Sequence, residues 1–534
     1  MKKLKNLKLE ELTVEQKIGM MLCARNFYVV NEEDTEYVME MIRNHSLGCI
    51  QVPYDKPYIM EKVKEAADYP IIIVTDMEMG CPMSDLPPVP MMTLAACNQP
   101  KHYRAFARAL VADAKKLGFN GLWSPVIDVL VSDGPAKVYR TFSDDPQFVA
   151  QAAEHISEVF NNNHFMSCGK HYPGSGKWKG QDFTSTDTHM ANVASNTPLE
   201  EIVENGFVPY LHLMDKGLLP TIMVGHVLHK GIDPELPSSL SKKVLDLIRE
   251  RGFDGVCFTD SFAMMAILQM YGEEKLYGMA AAAGNDIILP NYRSTTRSAY
   301  ENLLRNYKDG AFSEERLNEA VRRVLALQEF LGAEPENPDP FTEEDRKTYY
   351  DIAKDCITAI TDEGVDAALP ADNKDRLFVI IGDEKQVAMG SLTAETMTRD
   401  WYHPEEIEKK IHEEFPEAEV VWLPEYPNHK DNEKVLLAAA RHKEVVFMTY
   451  CNTRPYLGTD CMTRRVESVI NALIMSGKVS AVVHFGNPFA QKYIDHVPRR
   501  IFGYMMPESQ LHAVEVLAGK LPAPGKLPYH VEFK

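Results

Sequence analysis

Short apolar runs alternate with longer amphipathic stretches from residue 11 to about residue 330 of the 534-residue chain. This alternation is typical of βα units around a parallel sheet. It favours a TIM-like (β/α)8 barrel over an open doubly wound sheet, because it extends over about the length that such a barrel needs. The runs predict strands at residues 47–52, 71–75, 121–126, 165–170, 219–225, 255–260 and 286–289, and the stretches predict helices at 100–117, 145–162 and 240–251.

A proline-rich acidic segment at residues 334–341 favours an extended connection between domains. We therefore predict a TIM-barrel domain at residues 1–335, a linker with a helix at 336–370, and a smaller α/β sandwich domain at 371–534. The predicted linker helix covers residues 343–361. Apolar runs beyond it predict further strands at residues 376–382, 420–423, 445–450 and 479–485.

Composition narrows the range of partners. A formal net charge of −20 repels a phosphate backbone, so we expect no nucleic-acid partner. We expect no membrane partner either, because no apolar span reaches the roughly 20 residues of a membrane helix. The nine cysteines form no CxxC pair, which favours reduced, buried thiols and a cytoplasmic location. Composition leaves the oligomeric state open.

Polar side chains follow four of the predicted strands, at the point where each strand ends. They are Asp76 and Glu78, then Asp128, then Lys170 and His171, and finally Asp260. An aspartate in this position often caps a helix or shapes a turn, so each one alone is a weak indication of function. Together they place carboxylates and cations on one rim of the predicted barrel, where such folds carry their chemistry.

The segment from Lys170 to Gly176 joins a cation and an imidazole to rigid turn residues. His171 is open to a second interpretation, as a satisfied core histidine. A phosphate-binding loop around Gly174 and Lys177 is excluded by spacing, since such a loop needs Ser or Thr directly after the lysine and this chain has Trp178.

Two motifs carry a family resemblance. Lys170-His171-Tyr172-Pro173-Gly174, followed by Asp187-Thr188-His189, resembles the Lys-His-Phe-Pro-Gly and Asp-Ser-His signature of glycoside hydrolase family 3 in its β-N-acetylhexosaminidase branch. Stretches in the family's order support it at residues 12–19, 140–146, 252–260, 283–286 and 525–528, so the resemblance spans nearly the whole chain.

The resemblance implies a retaining exo-β-glycosidase acting on a small β-linked carbohydrate. Asp260 is then the nucleophile that forms a covalent glycosyl-enzyme intermediate. His189, oriented by Asp187, is the acid and base, a role that suits an imidazole near its own pKa. The chemistry requires no metal or cofactor, and none is expected.

The resemblance also assigns substrate binding to Asp76, Arg140, Lys170 and His171. Their carboxylate and cationic groups accept from and donate to sugar hydroxyls. Glu78 and Asp128 are expected to support them.

Two departures from the family pattern concern the substrate. Cys81 stands where the family has an arginine, and the loop at residues 176–187 is longer than the family pattern. Contacts to the sugar ring or to the leaving group are therefore expected to differ.

Other functions stay open on the sequence. One is a β-glucosidase or broad exo-glycosidase of the same family whose acid is a carboxylate of the C-terminal domain, with Glu405, Glu406 or Asp460 as donor. A glycoside phosphorylase is another, since a neutral histidine repels phosphate less than a carboxylate does. The third, from a different class, is a catalytically silent sugar-binding protein.

Overall fold

The computed structural model describes residues 4–25, 32–130, 138–174, 188–189, 191–382, 402–451 and 462–534. Contacts between Cα atoms divide the chain into two compact units. The first comprises Met1–Met83, Ala107–Ser132 and Asp145–Thr342, and the second comprises Ser84–Phe106, Asp133–Asp144 and Glu343–Lys534. The domain boundaries predicted from the sequence remain a prediction beside this division.

The described strands, in chain order, are short. They are β1 (Cys23–Ala24), β2 (Cys49–Gln51), β3 (Ile72–Thr75), β4 (Gly121–Leu122), β5 (Gly169–Tyr172), β6 (Ala194–Pro198), β7 (Thr221–Val224), β8 (Leu228–Gly231), β9 (Val256–Thr259), β10 (Thr358–Thr361), β11 (Arg376–Ile381), β12 (Glu419–Leu423), β13 (Glu444–Cys451), β14 (Val479–Gly486) and β15 (Arg499–Phe502).

The described helices run between and after these strands. They are α1 (Val14–Met20), α2 (Glu32–Arg43), α3 (Pro57–Ala66), α4 (Met91–Cys97), α5 (Pro100–Leu117), α6 (Pro146–Asn162), α7 (Leu199–Glu204), α8 (Val208–Asp215), α9 (Lys242–Arg249), α10 (Met265–Tyr271), α11 (Glu273–Ala283), α12 (Thr296–Lys308), α13 (Glu314–Gly332), α14 (Glu343–Asp355), α15 (Pro404–Glu414), α16 (His429–Arg441), α17 (Arg464–Met475) and α18 (Pro507–Leu517). Among them there is none whose length and apolarity would let it cross a membrane.

The first unit is a mixed α/β structure built on parallel sheets. One sheet has the order β1-β2-β3-β4 and another the order β5-β7-β9, with every neighbouring pair parallel. Single parallel bridges extend these sheets and pair Gly121 with Met166, Val126 with Lys170, Phe258 with Ile287, and Leu22 with Ile288.

Among the described elements of the first unit, the pattern of the sequence predicted six of the nine strands, β2 to β5, β7 and β9, and the helices α5, α6 and α9. α5 has the predicted bounds, and α6 begins one residue late because Asp145 caps it by accepting from the N–H groups of Gln147 and Phe148. α9 likewise begins after its serine cap, since the Ser241 side chain accepts from the N–H of Val244. The sequence analysis missed β1, because Ile18 to Ala24 is one apolar run that contains both a helix end and a strand.

The second unit contains a six-stranded sheet with the order β10-β15-β14-β13-β11-β12. Its pairs are parallel except β10 with β15, which is antiparallel. The prediction of one helix over residues 343–361 is wrong at its end: α14 stops at Asp355, and Thr358–Thr361 forms β10. These four residues form a strand because they pair with β15. Such tertiary pairing is not revealed by the local propensity of the sequence.

A buried carboxylate links the strand starts of the first unit to its helices. Asp286 is fully buried, and its oxygens lie 2.6 Å from Arg249 Nη2, 2.7 Å from Arg316 Nη2 and 3.3 Å from Arg323 Nη1. The backbone N–H of Cys257 also donates to it at 2.9 Å. Because all these partners converge on one side chain, it connects β9 with α9 and α13.

Replacing Asp286 with Asn should cost about 3–5 kcal/mol of unfolding free energy, because it removes the buried counter-charge that three largely buried guanidinium groups share. Asp254→Asn is the matched control. Asp254 also pairs with two arginines, Arg322 and Arg323, but its side chain is 61% exposed, so the expected cost is below about 1 kcal/mol. Chemical denaturation of both variants measures the difference, and equal losses would contradict this interpretation.

Candidate active site

Four of the predicted site residues lie where parallel strands of the first unit end. Asp76 directly follows β3, Lys170 and His171 lie within β5, and Asp260 directly follows β9. The carboxyl ends of parallel strands are where such folds build their sites, because the following loops are free to vary there.

Lys170 is a buried cation held by two carboxylates. Its Nζ lies 2.5 Å from Glu78 Oε1 and 3.3 Å from Asp76 Oδ1. The side chains of Lys170 and Glu78 are 3% and 7% exposed, whereas that of Asp76 is 44% exposed. Glu78 therefore compensates the buried ammonium, and Asp76 keeps part of its carboxylate open to accept hydroxyl groups.

His171 is the extra residue of a bulge in β5. Lys170 pairs with Met223 and Tyr172 with Val224, so His171 has no partner in the register and its direction is set locally. Asp128 fixes it twice, accepting from the backbone N–H at 3.1 Å and from ring Nδ1 at 2.8 Å. Its Nε2 lies 4.0 Å from Asp260 Oδ2. Both interpretations of His171, as a satisfied core histidine and as a substrate-binding residue, remain predictions.

Asp260 is buried yet favoured in its charged form. Its backbone N–H donates to Val224 O at 2.9 Å, and the Ser261 N–H donates to its Oδ1 at 2.7 Å. Burial raises the pKa of Asp260, but the charges of His171 and His226 and the Ser261 N–H outweigh it, so that the pKa lies below its ordinary value. The carboxylate is therefore ionised at neutral pH without being paired to a lysine or arginine that any described contact shows.

The predicted acid and base residue is described, but its predicted partner is not. His189 is half-buried, and its charge contributes to the lowered pKa of Asp260. The preceding Thr188 accepts from the N–H of Ala266 at 3.2 Å and its hydroxyl lies 3.7 Å from Met264 Sδ. Asp187 lies outside the described residues, so the dyad remains a prediction.

Arg140 ends a 3₁₀ turn, Val138–Arg140, which belongs to the second unit. Its side chain is half-buried. Its predicted contact with substrate remains a prediction.

Sequence reasoning missed two polar residues at strand ends. His226 follows β7 and is 1% exposed, with contacts to Ser239 and to the carbonyl next to Asp260. The signal was present, since His226 directly follows the apolar run at residues 219–225, but this strand end was not among the four that were singled out. Gly225 before it matters sterically, because a Cβ there would lie 3.2 Å from the Cβ of His171.

Arg25 is the second missed residue, and it follows β1. It is 7% exposed, with Nε 3.0 Å from Gln51 Oε1 and its guanidinium 5.6 Å from the ring centre of Tyr292. Its Nη1 is buried without a hydrogen-bond partner among the described residues. Cys81, where the family pattern has an arginine, is buried with a 6% exposed surface.

Similarity to known proteins identifies the family. The model of the glycosyl hydrolase family 3 N-terminal domain matches residues 13–327, more than half of the chain. The chain belongs to glycoside hydrolase family 3. The family predicted from the Lys170 to Gly174 and Asp187 to His189 motifs is thereby confirmed.

Two relatives align with part of the chain. A β-N-acetylglucosaminidase/β-glucosidase of Cellulomonas fimi is 26% identical over 344 residues, which cover 61% of this chain and 59% of that protein. A β-hexosaminidase of Chromobacterium violaceum is 32% identical over 182 residues, which cover 34% of this chain and 49% of that protein. The chain thus spans about half to three-fifths of the length of these two relatives.

Solved structures share the fold over nearly the whole chain. A glycoside hydrolase family 3 β-N-acetylglucosaminidase from Paenibacillus sp. str. FPU-7 has a TM-score of 0.77 at 22% identity, covering 98% of this chain and 100% of its own. A β-glucoside phosphorylase has a TM-score of 0.77 at 18% identity, covering 98% and 95%. At these identities the likeness concerns the fold.

Asp128→Asn should lower the unfolding free energy by about 1–3 kcal/mol, because an amide oxygen cannot accept both His171 N–H groups as the carboxylate does and one is left unsatisfied. Urea denaturation measures the loss. Asp145→Asn is the control, since an asparagine caps a helix about as well as an aspartate. A stability of Asp128→Asn equal to that of the control would contradict the double role of Asp128.

Proposed function

We propose that this protein is a retaining exo-β-glycosidase, a β-N-acetylhexosaminidase that releases a terminal sugar from a small β-linked carbohydrate. The observation that carries the proposal is the Asp260 carboxylate, which is buried, favoured in its ionised form and 4.0 Å from His171 Nε2 at the strand ends. A carboxylate of this kind suits attack on an oxocarbenium-like carbon. The names of both relatives add support, since each describes a hexosaminidase activity.

In the first step, Asp260 forms a bond to the anomeric carbon while the glycosidic C–O bond breaks. The electron pair of that bond leaves on the aglycone oxygen, which takes a proton from His189. In the second step, water attacks the anomeric carbon, gives its proton to His189 and restores the Asp260 carboxylate. Two displacements at one carbon retain its configuration.

His189 is proposed as the acid and base because it lies within electrostatic reach of Asp260. Asp187 is proposed to accept from its ring and so fix the tautomer. The contacts of Thr188 with Met264 and Ala266 support this assignment, since they hold the residue between the dyad members against the segment that follows Asp260.

Sugar hydroxyls are proposed to bind Asp76, Lys170, His171 and Arg140. Asp76 offers a partly exposed carboxylate, and Lys170 brings an ammonium group to the same strand ends. Arg25 is proposed to join them, because its Nη1 is buried at the end of β1 and has no hydrogen-bond acceptor among the described residues.

We further propose that the strands of the first unit close into a (β/α)8 barrel. The eighth strand is the segment at residues 286–289, and the others are β1 to β5, β7 and β9 with β6 excluded. The parallel bridges support closure: those at Gly121 and Val126 join the two sheets on one side, and those at Ile287 and Ile288 join them on the other.

A reducing compartment, the cytoplasm, is proposed for the protein. All seven cysteines whose side chains the structure describes are free and buried, as expected where thiols stay reduced.

The purified protein is expected to turn over an aryl β-N-acetylglucosaminide faster than the matching aryl β-glucoside, with free sugar as product and no dependence on phosphate. Rates with both substrates, with and without inorganic phosphate, and chromatography of the products test this. A faster glucoside reaction would favour the β-glucosidase alternative, and formation of a sugar phosphate would favour the phosphorylase alternative. Saturable binding of the N-acetylglucosaminide without any product would favour the silent sugar-binding protein.

The two proposed catalytic residues should respond differently to the leaving group. Asp260→Ala should reduce turnover to background with both a 4-nitrophenyl and a methylumbelliferyl glycoside and with a 2,4-dinitrophenyl one. His189→Ala should lose about 10²–10⁴-fold with the poorer leaving groups and far less with 2,4-dinitrophenol, which departs without a proton.

Asp254→Asn is the control for these two variants, since Asp254 pairs with Arg322 and Arg323 on the surface. It should keep the wild-type rate with every leaving group. An equal loss of His189→Ala with all leaving groups would exclude His189 as the acid. Retained activity of either Glu405→Gln or Glu406→Gln, both in the first turn of α15, is expected because the acid is not assigned to them.

A further inference from the structure

A chain of buried polar groups ends at the backbone beside Asp260. Asn285 Nδ2 donates to the carbonyl of Ser239 at 2.8 Å, and the Ser239 hydroxyl lies 2.7 Å from His226 Nδ1. His226 Nε2 lies 3.0 Å from the carbonyl of Ser261. This series of hydrogen-bonded groups therefore extends from the residue before the strand segment 286–289 to the residue after the proposed nucleophile. It passes through the loop after β8 and the end of β7.

The partners of His226 determine its tautomer. A carbonyl only accepts, so Nε2 carries the hydrogen that is donated to Ser261. Burial lowers the pKa of His226 below its ordinary value, and the ring is therefore neutral at neutral pH. Nδ1 then accepts from the Ser239 hydroxyl, and both ring nitrogens are satisfied within the protein.

Ser261 is the link between this imidazole and the carboxylate. Its carbonyl accepts from His226, while its N–H donates to Asp260 Oδ1 at 2.7 Å. Its hydroxyl accepts from the N–H of Ala263 at 3.2 Å, and its carbonyl also accepts from the N–H of Met264 at 3.2 Å. Both polar backbone groups of Ser261 are thus fixed in a buried turn.

We propose that His226 is a positioning residue for catalysis: by holding the Ser261 carbonyl, it restrains the backbone of Ser261 and so orients the N–H of the preceding peptide unit, which fixes the Asp260 carboxylate for attack. This inference rests on the proposed role of Asp260 as nucleophile. His226 has both ring nitrogens engaged by the protein, so it acts through Ser261 rather than on the substrate.

The geometric demand on Asp260 explains why such a group is useful. A displacement of about 1 Å at a reacting group can cost about 10²-fold in rate. Only one hydrogen bond to the Asp260 side chain appears among the described residues, the one from Ser261, so the orientation of the carboxylate depends on that peptide.

The charged groups around Asp260 come from several elements. His171 of β5, His226 after β7 and His189 each act on it, together with the Ser261 N–H, and each of them lowers its pKa. His226 in turn faces Asp260, His171 and His189. Releasing the Ser261 N–H should therefore raise the pKa of Asp260 towards the ordinary value, because a hydrogen bond to the charged form is lost.

The test compares His226→Ala, His226→Gln and Ser239→Ala with wild type on the aryl glycoside that wild type cleaves best. His226→Ala should lose about 10²-fold in kcat/KM, and the acid limb of its pH profile should move to higher pH. His226→Gln should recover most of the rate, since its amide N–H reaches towards the Ser261 carbonyl. Ser239→Ala keeps the imidazole and should lose less than His226→Ala.

His484→Gln is the matched control. His484 is fully buried in β14 with the same two kinds of partner, a hydroxyl of Thr449 on Nδ1 and the carbonyl of Asn487 on Nε2. It has no bond to the turn after Asp260 among the described residues, so it should lose stability without a shift of the acid limb. Melting temperatures of all variants separate folding from rate.

Three results would overturn the proposal, and only the last of them also overturns the proposed function. A His226→Ala variant that folds, keeps kcat/KM within twofold of wild type and keeps its acid limb removes the role of His226 while leaving the proposed function intact. If His226→Ala does not fold, an unchanged rate and acid limb in Ser239→Ala, or a shift of the acid limb in His484→Gln equal to that in Ser239→Ala, removes it likewise. A wild-type protein that cleaves no aryl glycoside overturns the proposed function, and the positioning role with it.

Discussion

The carboxylate of Asp260, which is both buried and charged, constrains the choice of the groups that surround it in the first unit. Burial raises the pKa of Asp260 and so disfavours its charged form, and the surrounding groups have to supply favourable charge and a donor. The imidazole of His171 in β5 and the N–H of Ser261 do so, and no lysine of the described residues forms an ion pair with Asp260. The lysine of the site is instead paired with Glu78 and Asp76, which keeps its charge from forming a tight ion pair with Asp260.

The parts of this arrangement that the sequence predicts are those with a local signature. Asp76, Lys170 and Asp260 each follow or end an apolar run, and the strand periodicity places them at one edge. The bulge at His171 and the bond from Asp128 depend on register between strands, which periodicity does not specify. The sequence analysis missed β1, and with it the position of Arg25 at a strand end, because one apolar run contains both the end of α1 and this strand.

The comparison with the family model establishes the family of the chain, and the comparison with solved structures concerns its fold. The family model spans residues 13–327 and fixes the family. The structures extend the likeness of fold through the second unit, because they cover 98% of this chain. One of them is a β-N-acetylglucosaminidase and the other a β-glucoside phosphorylase. The shared fold alone therefore does not decide between water and phosphate as the acceptor.

The contacts of Thr188 have a consequence for how the proposed acid and nucleophile keep their separation. Its carbonyl and hydroxyl are held by Ala266 and Met264, which lie only a few residues beyond Asp260 in the chain. The two groups therefore share one local anchor instead of being related through the sheet as a whole. A movement of the strands would therefore displace both groups together, and the separation of the proposed acid from the proposed nucleophile would change little.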